Sequence, residues 1–340
     1  MRQSLNRVIA GQDLSRAEAA EVMQQMMEGT ATPSQIGGLL TALRMKGETV
    51  DEITGFAEVM RQKVSKVAHP LRNAVDTCGT GGDGGKTFNV STATSILVAA
   101  MGIPVAKHGN RSVSSKSGSA DVLEKLGFTV QMSPQEAEQA LREIGICFMF
   151  APLFHQSMRH VMPTRKELGI RTCFNLLGPL TNPAGVKIQL VGVYSQSLTE
   201  LFASVLKKLG VTRALVVASD DGLDEISISA PTKVSELRDG EVNTYSITPA
   251  TLGLQSYPLS SVAGGDAARN AEIIRSVFAG KRGGARDIVV ANAAAVLYLS
   301  DRADSLQEAA RLAEQALDAG TAMNKLNQMV AYTGGREHVS

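Results

Sequence analysis

The chain has 340 residues, of which 44% are hydrophobic and 4% aromatic, and its 34 basic and 33 acidic side chains give a formal net charge of +1. This composition excludes a disordered chain, and the neutral balance argues against a protein that binds nucleic acid through its phosphates. The length accommodates one large domain or two smaller ones, each with a sizeable core.

The cysteines and the apolar stretches indicate the compartment. Cys78, Cys147 and Cys173 form no CxxC pair, which argues against a zinc ribbon or a disulfide framework and favours a reducing compartment. The first eleven residues, MRQSLNRVIAG, contain no long apolar run, so we expect no signal peptide. The longest apolar stretches, 96–106 and 288–299, are too short to span a bilayer. We therefore expect a soluble, cytoplasmic protein without a membrane partner.

Residues 1–70 predict helices only, and thus a small N-terminal all-helical domain. Three capping boxes, in which a hydroxyl and an acid or amide three residues later satisfy helix-start amides, are Ser15 with Glu18, Thr32 with Gln35, and Thr49 with Glu52. Apolar residues follow at helical spacing. We interpret the methionines at 23, 26 and 27 as core or as a helix–helix interface rather than a ligand site.

From residue 73 short β-branched runs alternate with helical segments. The predicted strands are 74–77, 104–107, 128–131, 146–150, 188–193 and 214–218, and the predicted helices are 91–101, 119–126, 134–144 and 197–209. Capping boxes at Ser133 with Glu136 and at Ser197 with Glu200 mark two of the helix starts. This alternation predicts an α/β domain over 73–340, with a central, mostly parallel sheet flanked by helices. The stretch 224–248 is predicted to hold short strands at an edge.

A glycine loop follows the first predicted strand, and five of the seven residues from Gly79 to Gly85 are glycine. Such a loop before a helix lets backbone amides approach an anion; an ordinary flexible turn is the alternative. The dinucleotide fingerprint GxGxxG also needs an acid about 20 residues later, but no Asp or Glu occurs from Gly84 through Ala120. A Walker A loop would need glycine at Thr80 and would enclose the charge of Asp83. Both nucleotide motifs are therefore disfavoured.

The acid-free window instead concentrates cations and hydroxyl groups. Its basic residues are Lys86, Lys107, Arg111 and Lys116, and the segment suits a ligand with several phosphates, although a solvated loop is the alternative. An acidic loop at 220–225 offers hard oxygen ligands, which suggest a Mg²⁺ ion that bridges carboxylate and ligand phosphate. Taken alone, such a loop is usually just solvated.

These segments closely resemble the anthranilate phosphoribosyltransferase family. The matching stretches are 76–83 (DTCGTGGD), 89–92 (NVST), 107–115 (KHGNRSVSS), 159–161 (RHV) with Arg165, 175–183 (NLLGPLTNP), 222–225 (GLDE), 286–289 (RDIV) and 292–294 (NAA). They run in order along essentially the whole chain.

The resemblance implies an enzyme of tryptophan biosynthesis. It would transfer the phosphoribosyl group of 5-phospho-α-D-ribose 1-diphosphate (phosphoribosyl pyrophosphate, PRPP) to the amine of anthranilate. The products would be N-(5-phosphoribosyl)anthranilate and pyrophosphate, in the second step from chorismate. The resemblance also implies two Mg²⁺ ions per subunit and a homodimer. The dimer would form through the helical domain at 1–70, joined by helices near 160–185.

Site residues carry over by motif. PRPP contacts are expected at Gly79, Gly82, Asp83, Thr87, Asn89, Val90, Ser91, Thr92, Lys107, Ser115 and Ser119. Anthranilate contacts are expected at Gly79, His108, Asn110 and Arg165, and Mg²⁺ ligands at Ser91, Asp224 and Glu225. His155, His160 and Arg159 are expected to border the anthranilate entrance, where Arg159 and Arg165 attract the carboxylate. No acid or base is assigned, because the amine is already a nucleophile.

The chain departs from the family pattern at three positions. Ala218 and Ser219 stand where the family often has His-Gly, and Gln156 stands where a proline is frequent; none of these removes a predicted phosphate or metal residue. Two alternatives remain. One is a pyrimidine-nucleoside-phosphorylase-like enzyme, which would not need the Asp224–Glu225 metal pair or Asn110 and Arg111. The other is a non-catalytic homologue that binds nucleic acid, which the net charge of +1 disfavours.

Overall fold

Four helices form the N-terminal segment, as the sequence predicts. The computed structural model describes residues 1–68, 71, 73–82, 85–112 and 116–334. The four helices are α1 (Arg2–Ile9), α2 (Arg16–Met27), α3 (Pro33–Lys46) and α4 (Val50–Lys63). All three predicted capping boxes form at the starts of α2, α3 and α4, with both reciprocal hydrogen bonds.

Close backbone contact joins the N-terminal helices. Helix α2 lies so near α4 at Gly55 that a Cβ there would stand 2.3 Å from the carbonyl oxygen of Arg16. The carboxylate of the fully buried Glu52 accepts hydrogen bonds from the Leu14 N–H (2.9 Å), the Thr49 N–H (2.8 Å) and the ammonium of Lys46 (3.0 Å). The methionines at 23, 26 and 27 are buried in the same apolar cluster, which confirms their interpretation as core.

One seven-stranded sheet forms the centre of the larger part of the chain. Its strands are β1 (Val75–Gly79), β2 (Val105–Gly109), β3 (Ile146–Phe150), β4 (Ile188–Gly192), β5 (Arg213–Ser219), β6 (Thr232–Arg238) and β7 (Glu241–Ile247). The spatial order is β3-β2-β1-β4-β5-β6-β7. The first five strands pair in parallel, and β6 and β7 add antiparallel at one edge. The mostly parallel sheet and the edge strands are thus confirmed.

Helices cover the sheet. They are α5 (Val90–Ala100), α6 (Ser119–Leu126), α7 (Pro134–Ile144), α8 (Ala151–Phe154), α9 (Met162–Leu168), α10 (Phe174–Leu177), α11 (Thr199–Lys208), α12 (Ala267–Phe278), α13 (Gly284–Leu299), α14 (Leu306–Asp318) and α15 (Thr321–Gly334). Short 3-10 helices span Gln156–His160, Gln196–Leu198, Pro249–Leu252 and Leu259–Val262. Within the described ranges, no helix combines the length and apolarity needed to cross a membrane.

Two local predictions are wrong. The segment 128–131 forms no strand. Its Phe128 and Val130 are buried, but the N–H of Thr129 donates to the hydroxyl of Thr333 on α15 (3.3 Å) rather than to a neighbouring strand. The capping box at Ser197 does not form either, because a 3-10 turn comes first and α11 begins only at Thr199.

The helices between β3 and β4 return to the N-terminal helices. Helix α9 contacts α3, and α10 contacts α4. One apolar cluster joins these helices to a face of the sheet that includes Val191 and Val216. The N-terminal helices therefore bury their apolar faces together with the sheet rather than around a separate core.

The order of the strands creates a reversal beside β1. The chain moves outward from β1 to β2 and β3, and then returns to place β4 on the other side of β1. Because β1 and β4 are parallel and in register, Gly79 at the end of β1 lies opposite Gly192 at the end of β4. Ligands of open α/β sheets bind at such a reversal, beyond the carboxyl ends of the strands.

The close contact at Gly55 yields a stability prediction. Gly55→Ala should destabilise the fold by about 1–3 kcal/mol, because the new methyl group meets a backbone carbonyl that can yield only if α2 and α4 separate. Gly38→Ala on α3 is the matched control. There a Cβ would first meet Leu5 side-chain atoms at 3.7 Å, so the better helix propensity should stabilise by about 0.5–1 kcal/mol. Urea denaturation measures both, and a shift of the same sign would contradict the packing.

Candidate functional site

A small cleft opens where β1 and β4 end. It is lined by Thr77, Cys78, Gly79, Ser91, Thr94, Leu190, Gly192, Asp224 and Glu225. We call it the strand-end cleft. Four of the predicted site residues, Gly79, Ser91, Asp224 and Glu225, therefore lie around one space, although Asp224 is 145 positions from Gly79 in the sequence.

Two glycines let Asp224 reach the strand ends. A Cβ at Gly79 would stand 2.5 Å from Asp224 Oδ2, and a Cβ at Gly192 would stand 1.7 Å from the carbonyl oxygen of Asp224. The same Oδ2 accepts a hydrogen bond from the N–H of Gly81 (2.9 Å). Any side chain at position 192 would therefore displace the acidic loop from the cleft.

The carboxylates of the acidic loop have two different roles, which the sequence alone did not distinguish. The carboxylate of Asp221 accepts hydrogen bonds from three serine hydroxyls, those of Ser219, Ser227 and Ser229. Burial alone would raise the pKa of Asp221, but these hydrogen bonds outweigh it and lower the pKa. Asp221 thus organises its own loop, whereas Asp224 and Glu225 line the cleft.

Helix α13 holds the far end of the acidic loop. The side-chain oxygen of the buried Asn292 accepts from the N–H of Ile226 (3.0 Å), and its amide group donates to the carbonyl oxygen of Ile226 (3.1 Å). Because Ile226 directly follows Glu225, this pair of hydrogen bonds fixes the backbone next to the two cleft carboxylates.

A buried lysine lies behind the opposite side of the cleft. Lys107 on β2 donates to the carbonyl oxygen of Thr77 (2.5 Å) and to the hydroxyl of Ser91 (3.4 Å) at the start of α5. The charge of Lys107 interacts with that of Asp76, which is fully buried and accepts from the side chain of Asn182 (2.7 Å). Burial raises the pKa of Asp76 to about 6, although Lys107 and the hydrogen bonds oppose this shift.

The other predicted PRPP residues lie on segments that meet at the start of α5. Val90 and Thr92 belong to its first turn, and the side chain of Asn89 bonds to Ser117 O (3.1 Å) and Asn270 (2.9 Å). Thr87 forms a bridge with Ala263, Ser119 donates to the carbonyl oxygen of Asn110 (3.2 Å), and Gly82 accepts from Arg171 (2.7 Å). Asp83 and Ser115 lie outside the described residues.

One cation of the predicted basic window is already neutralised. The guanidinium of Arg111 pairs with Asp121 (3.0 Å) and Glu124 (2.6 Å) and lies over the ring of Phe150. Both acids stand on α6, just beyond the acid-free window. The hydrogen bonds to these carboxylates are the main reason that the pKa of Arg111 is raised. The window therefore brings less free positive charge to the site than its composition suggests.

Two buried histidines lie together. The ring centroids of His108 and His155 are 5.1 Å apart, and neither Nε2 has a hydrogen-bond partner among the described residues. Burial lowers the pKa of His108 to about 3 and that of His155 to about 4. Both imidazoles are thus neutral at physiological pH and present neutral ring surfaces rather than charge.

The remaining predicted anthranilate residues do not line the strand-end cleft. Arg165 lies on α9 with its guanidinium 5.0 Å from the centroid of the Phe174 ring, and burial lowers its pKa. Asn110 is exposed just after β2. The Arg159 guanidinium donates to the ring of His160 (3.3 Å).

Sequence reasoning missed three residues near the site. Gly192 ends β4 just as Gly79 ends β1. This correspondence is visible in the sequence only when the two strands are known to pair. Thr94 follows Ser91 by three positions on α5 and also lines the cleft. Arg171 had no local signal, because its partner Gly82 is 89 positions away.

Comparison with known proteins gives consistent matches over the chain. The α/β domain of a glycosyl transferase family matches residues 71–323, and the helical bundle domain of a glycosyl transferase family matches residues 2–64. An anthranilate phosphoribosyltransferase of Brevibacillus brevis is 52% identical over 337 residues, 99% of either chain. The corresponding protein of Moorella thermoacetica is 53% identical over 334 residues, 98% of either chain.

Solved structures agree with these matches. Anthranilate phosphoribosyltransferase from Thermus thermophilus superposes with a TM-score of 0.92 at 40% identity, covering 98% of this chain and 99% of that one. The Saccharomyces cerevisiae enzyme, in complex with PRPP and Mg, superposes with a TM-score of 0.89 at 28% identity and covers 98% of both chains.

Because His108 and His155 are buried and neutral, we expect the stability of the fold to decrease at acidic pH. In the unfolded chain a histidine takes up a proton near pH 6.5, whereas folded His155 resists protonation down to about pH 4. Its contribution to stability is thus present above pH 6.5 and is lost as the pH falls through 4. When the pH falls from 7 to 4, the unfolding free energy of His155→Gln should therefore decrease by about 3 kcal/mol less than that of wild type.

Urea denaturation at pH 7 and pH 4 measures this difference, and His160→Gln, which removes an exposed imidazole, serves as control. Equal pH dependence of wild type and His155→Gln would contradict the neutral histidine pair.

Proposed function

The chain belongs to the anthranilate phosphoribosyltransferase family, and we propose that it transfers the phosphoribosyl group of PRPP to the amine of anthranilate. The products are N-(5-phosphoribosyl)anthranilate and pyrophosphate, in the second step of tryptophan biosynthesis from chorismate. The observation that carries the proposal is the strand-end cleft, where glycine backbone, two carboxylates and a hydroxyl surround one space.

The donors in this cleft fit Mg²⁺. Asp224 and Glu225 offer carboxylate oxygens and Ser91 a hydroxyl, which are the hard ligands that Mg²⁺ prefers, usually together with substrate phosphates. We assign these three residues as its ligands from the chemistry of their oxygens, and the complex of the yeast relative with PRPP and Mg supports Mg²⁺ binding by the family. When bound, Mg²⁺ neutralises charge on the pyrophosphate leaving group. The expected number of two ions rests on the resemblance alone.

The chain's own groups hold PRPP on the other side of the cleft. Amides of the glycine loop and the first turn of α5 can donate to phosphate oxygens, and the buried ammonium of Lys107 adds positive charge behind Ser91. As the bond from C1 to pyrophosphate breaks, negative charge grows on the leaving group. Fixed donors stabilise that charge without reorganising.

Anthranilate is oriented by a different set of groups. The guanidinium of Arg165, held over Phe174, can bind the carboxylate of the substrate. The neutral rings of His108 and His155 provide uncharged surface for its aromatic ring. Because the amine is already nucleophilic, holding it beside C1 supplies the remaining acceleration. Burial raises the pKa of the Cys78 thiol, which disfavours a thiolate nucleophile in the cleft.

We also propose a homodimer formed through the N-terminal helices. Ile9, Met45 and Met162, on α1, α3 and α9, are 66%, 83% and 44% exposed, and such apolar exposure favours a protein interface. Sedimentation at micromolar concentration would test it. Cytoplasmic location stays a prediction. The phosphorylase and nucleic-acid-binding alternatives are not favoured, because the relatives are named as anthranilate phosphoribosyltransferases.

A fluorescence assay tests the proposed reaction. Anthranilate fluorescence should decline only when protein, PRPP and Mg²⁺ are all present, and pyrophosphate should appear in equal amount. Activity on a pyrimidine nucleoside with phosphate, without consumption of anthranilate, would overturn the proposal.

The carboxylates of the cleft give a sharper test. Asp224→Asn combined with Glu225→Gln should lower kcat about 100-fold or more, because stabilisation of the leaving group is lost, while the melting temperature changes little. Asp220→Asn is the matched control, since Asp220 bonds to Gln196 in the same loop. Full activity of the double variant, or an equal loss in the control, would contradict the assignment.

Arg165 should act mainly on anthranilate. Arg165→Ala should raise the KM for anthranilate about tenfold or more, as expected for the loss of a charge-assisted hydrogen bond, and should leave the KM for PRPP nearly unchanged. Lys166→Ala, an exposed neighbour on α9, is the control. A rise in the KM for PRPP alone would count against this role.

A further inference from the structure

The glycine loop is held from two directions at adjacent residues. The N–H of Gly81 donates to the carboxylate of Asp224 (2.9 Å), and the carbonyl oxygen of Gly82 accepts from the guanidinium of Arg171 (2.7 Å). The first contact comes from the carboxylate side of the strand-end cleft. The second comes from the segment that follows α9, the helix that carries Arg165.

Arg171 has a defined position between two site segments. It stands between α9, which carries Arg165, and α10, which carries Phe174. Its guanidinium lies 4.6 Å from the centroid of the Tyr194 ring. The N–H of Tyr194 in turn donates to the hydroxyl of Thr80 in the glycine loop (3.2 Å). Ring and loop therefore hold the guanidinium from two sides.

The conformation of Gly82 is matched to this contact. Its φ is +98°, which L side chains rarely adopt, and a Cβ there would stand 2.8 Å from Arg171 Nη2. The guanidinium thus occupies the space beside the loop that a side chain would need. The contact combines a charge-assisted hydrogen bond, which is stronger than a neutral one, with a cation–π interaction.

We propose that Arg171 is a positioning residue that couples the PRPP site to the anthranilate site by holding the Gly82 carbonyl against the segment that joins the Arg165-bearing helix α9 to α10. The inference rests on the proposed function. When PRPP binds against the glycine loop, the bond to Gly82 transmits that restraint to Arg171 and to the segment that follows α9. By linkage, anthranilate must favour PRPP binding by the same factor.

The test separates coupling from simple binding. Fluorescence titration gives the dissociation constant of anthranilate alone, and calorimetry gives that of PRPP with Mg²⁺ alone. A grid of initial rates over both substrates gives the factor by which each lowers the KM of the other, which equals the binding factor when substrate dissociation is fast relative to turnover. In wild type each substrate should tighten the other about tenfold, within the usual range of coupling. In Arg171→Gln this factor should fall towards one, while each substrate alone binds within about twofold of wild type.

Matched variants distinguish the contact from a general structural role. Arg171→Lys keeps a donor for Gly82 and should restore part of the coupling. Tyr194→Phe keeps the ring beneath the guanidinium and should retain coupling, whereas Tyr194→Ala should reduce it. Lys166→Gln, exposed on α9, should leave it unchanged.

Three results would overturn the inference. They are an unchanged coupling factor in Arg171→Gln, an equal weakening of both substrates measured alone, and a lowered melting temperature that Arg171→Lys fails to restore. Failure of the proposed function looks different, because wild type would then consume no anthranilate with PRPP and Mg²⁺, whatever the variants do.

Discussion

Only glycine fits where β1 and β4 end, and the site depends on this constraint. The parallel register sets Gly79 against Gly192, and a Cβ at position 192 would lie 1.7 Å from the Asp224 carbonyl. Because that space is free, the acidic loop can approach the strand ends and place two carboxylates opposite the start of α5. The cleft lies at the reversal of strand order beside β1, and the two glycines leave the space that the acidic loop needs to reach it.

Buried polar groups then keep the parts of this opening in place. Asn292 fixes the backbone after Glu225 with a pair of hydrogen bonds, and Asp221 closes its own loop through serine hydroxyls. Lys107 and Asp76 lie buried behind the other side. Unpaired buried polar groups are costly, so these networks have few alternative arrangements. The glycine loop contacts both the acidic loop, through Asp224, and the segment after α9, through Arg171.

The sequence predicted those structural features that depend only on residues close together in the chain. Capping boxes such as Thr32 with Gln35 are complete within one helical turn, and the glycine loop shows its density in a single stretch. Prediction from the sequence failed where a contact with a residue far away in the chain determines the structure. The segment 128–131 alternates like a strand but meets Thr333 instead of a sheet edge. The charge of Arg111 is cancelled by acids on α6, and the bond from Arg171 to Gly82 spans 89 positions.

The central claim is that PRPP and its metal ion bind at the ends of β1 and β4. Crystals of this protein grown with PRPP and Mn²⁺ in place of Mg²⁺ would test it by anomalous diffraction at the manganese edge. We expect a peak within coordination distance of Asp224 or Glu225, with pyrophosphate density between that peak and the glycine loop. A peak bound elsewhere, with PRPP density away from this cleft, would contradict it.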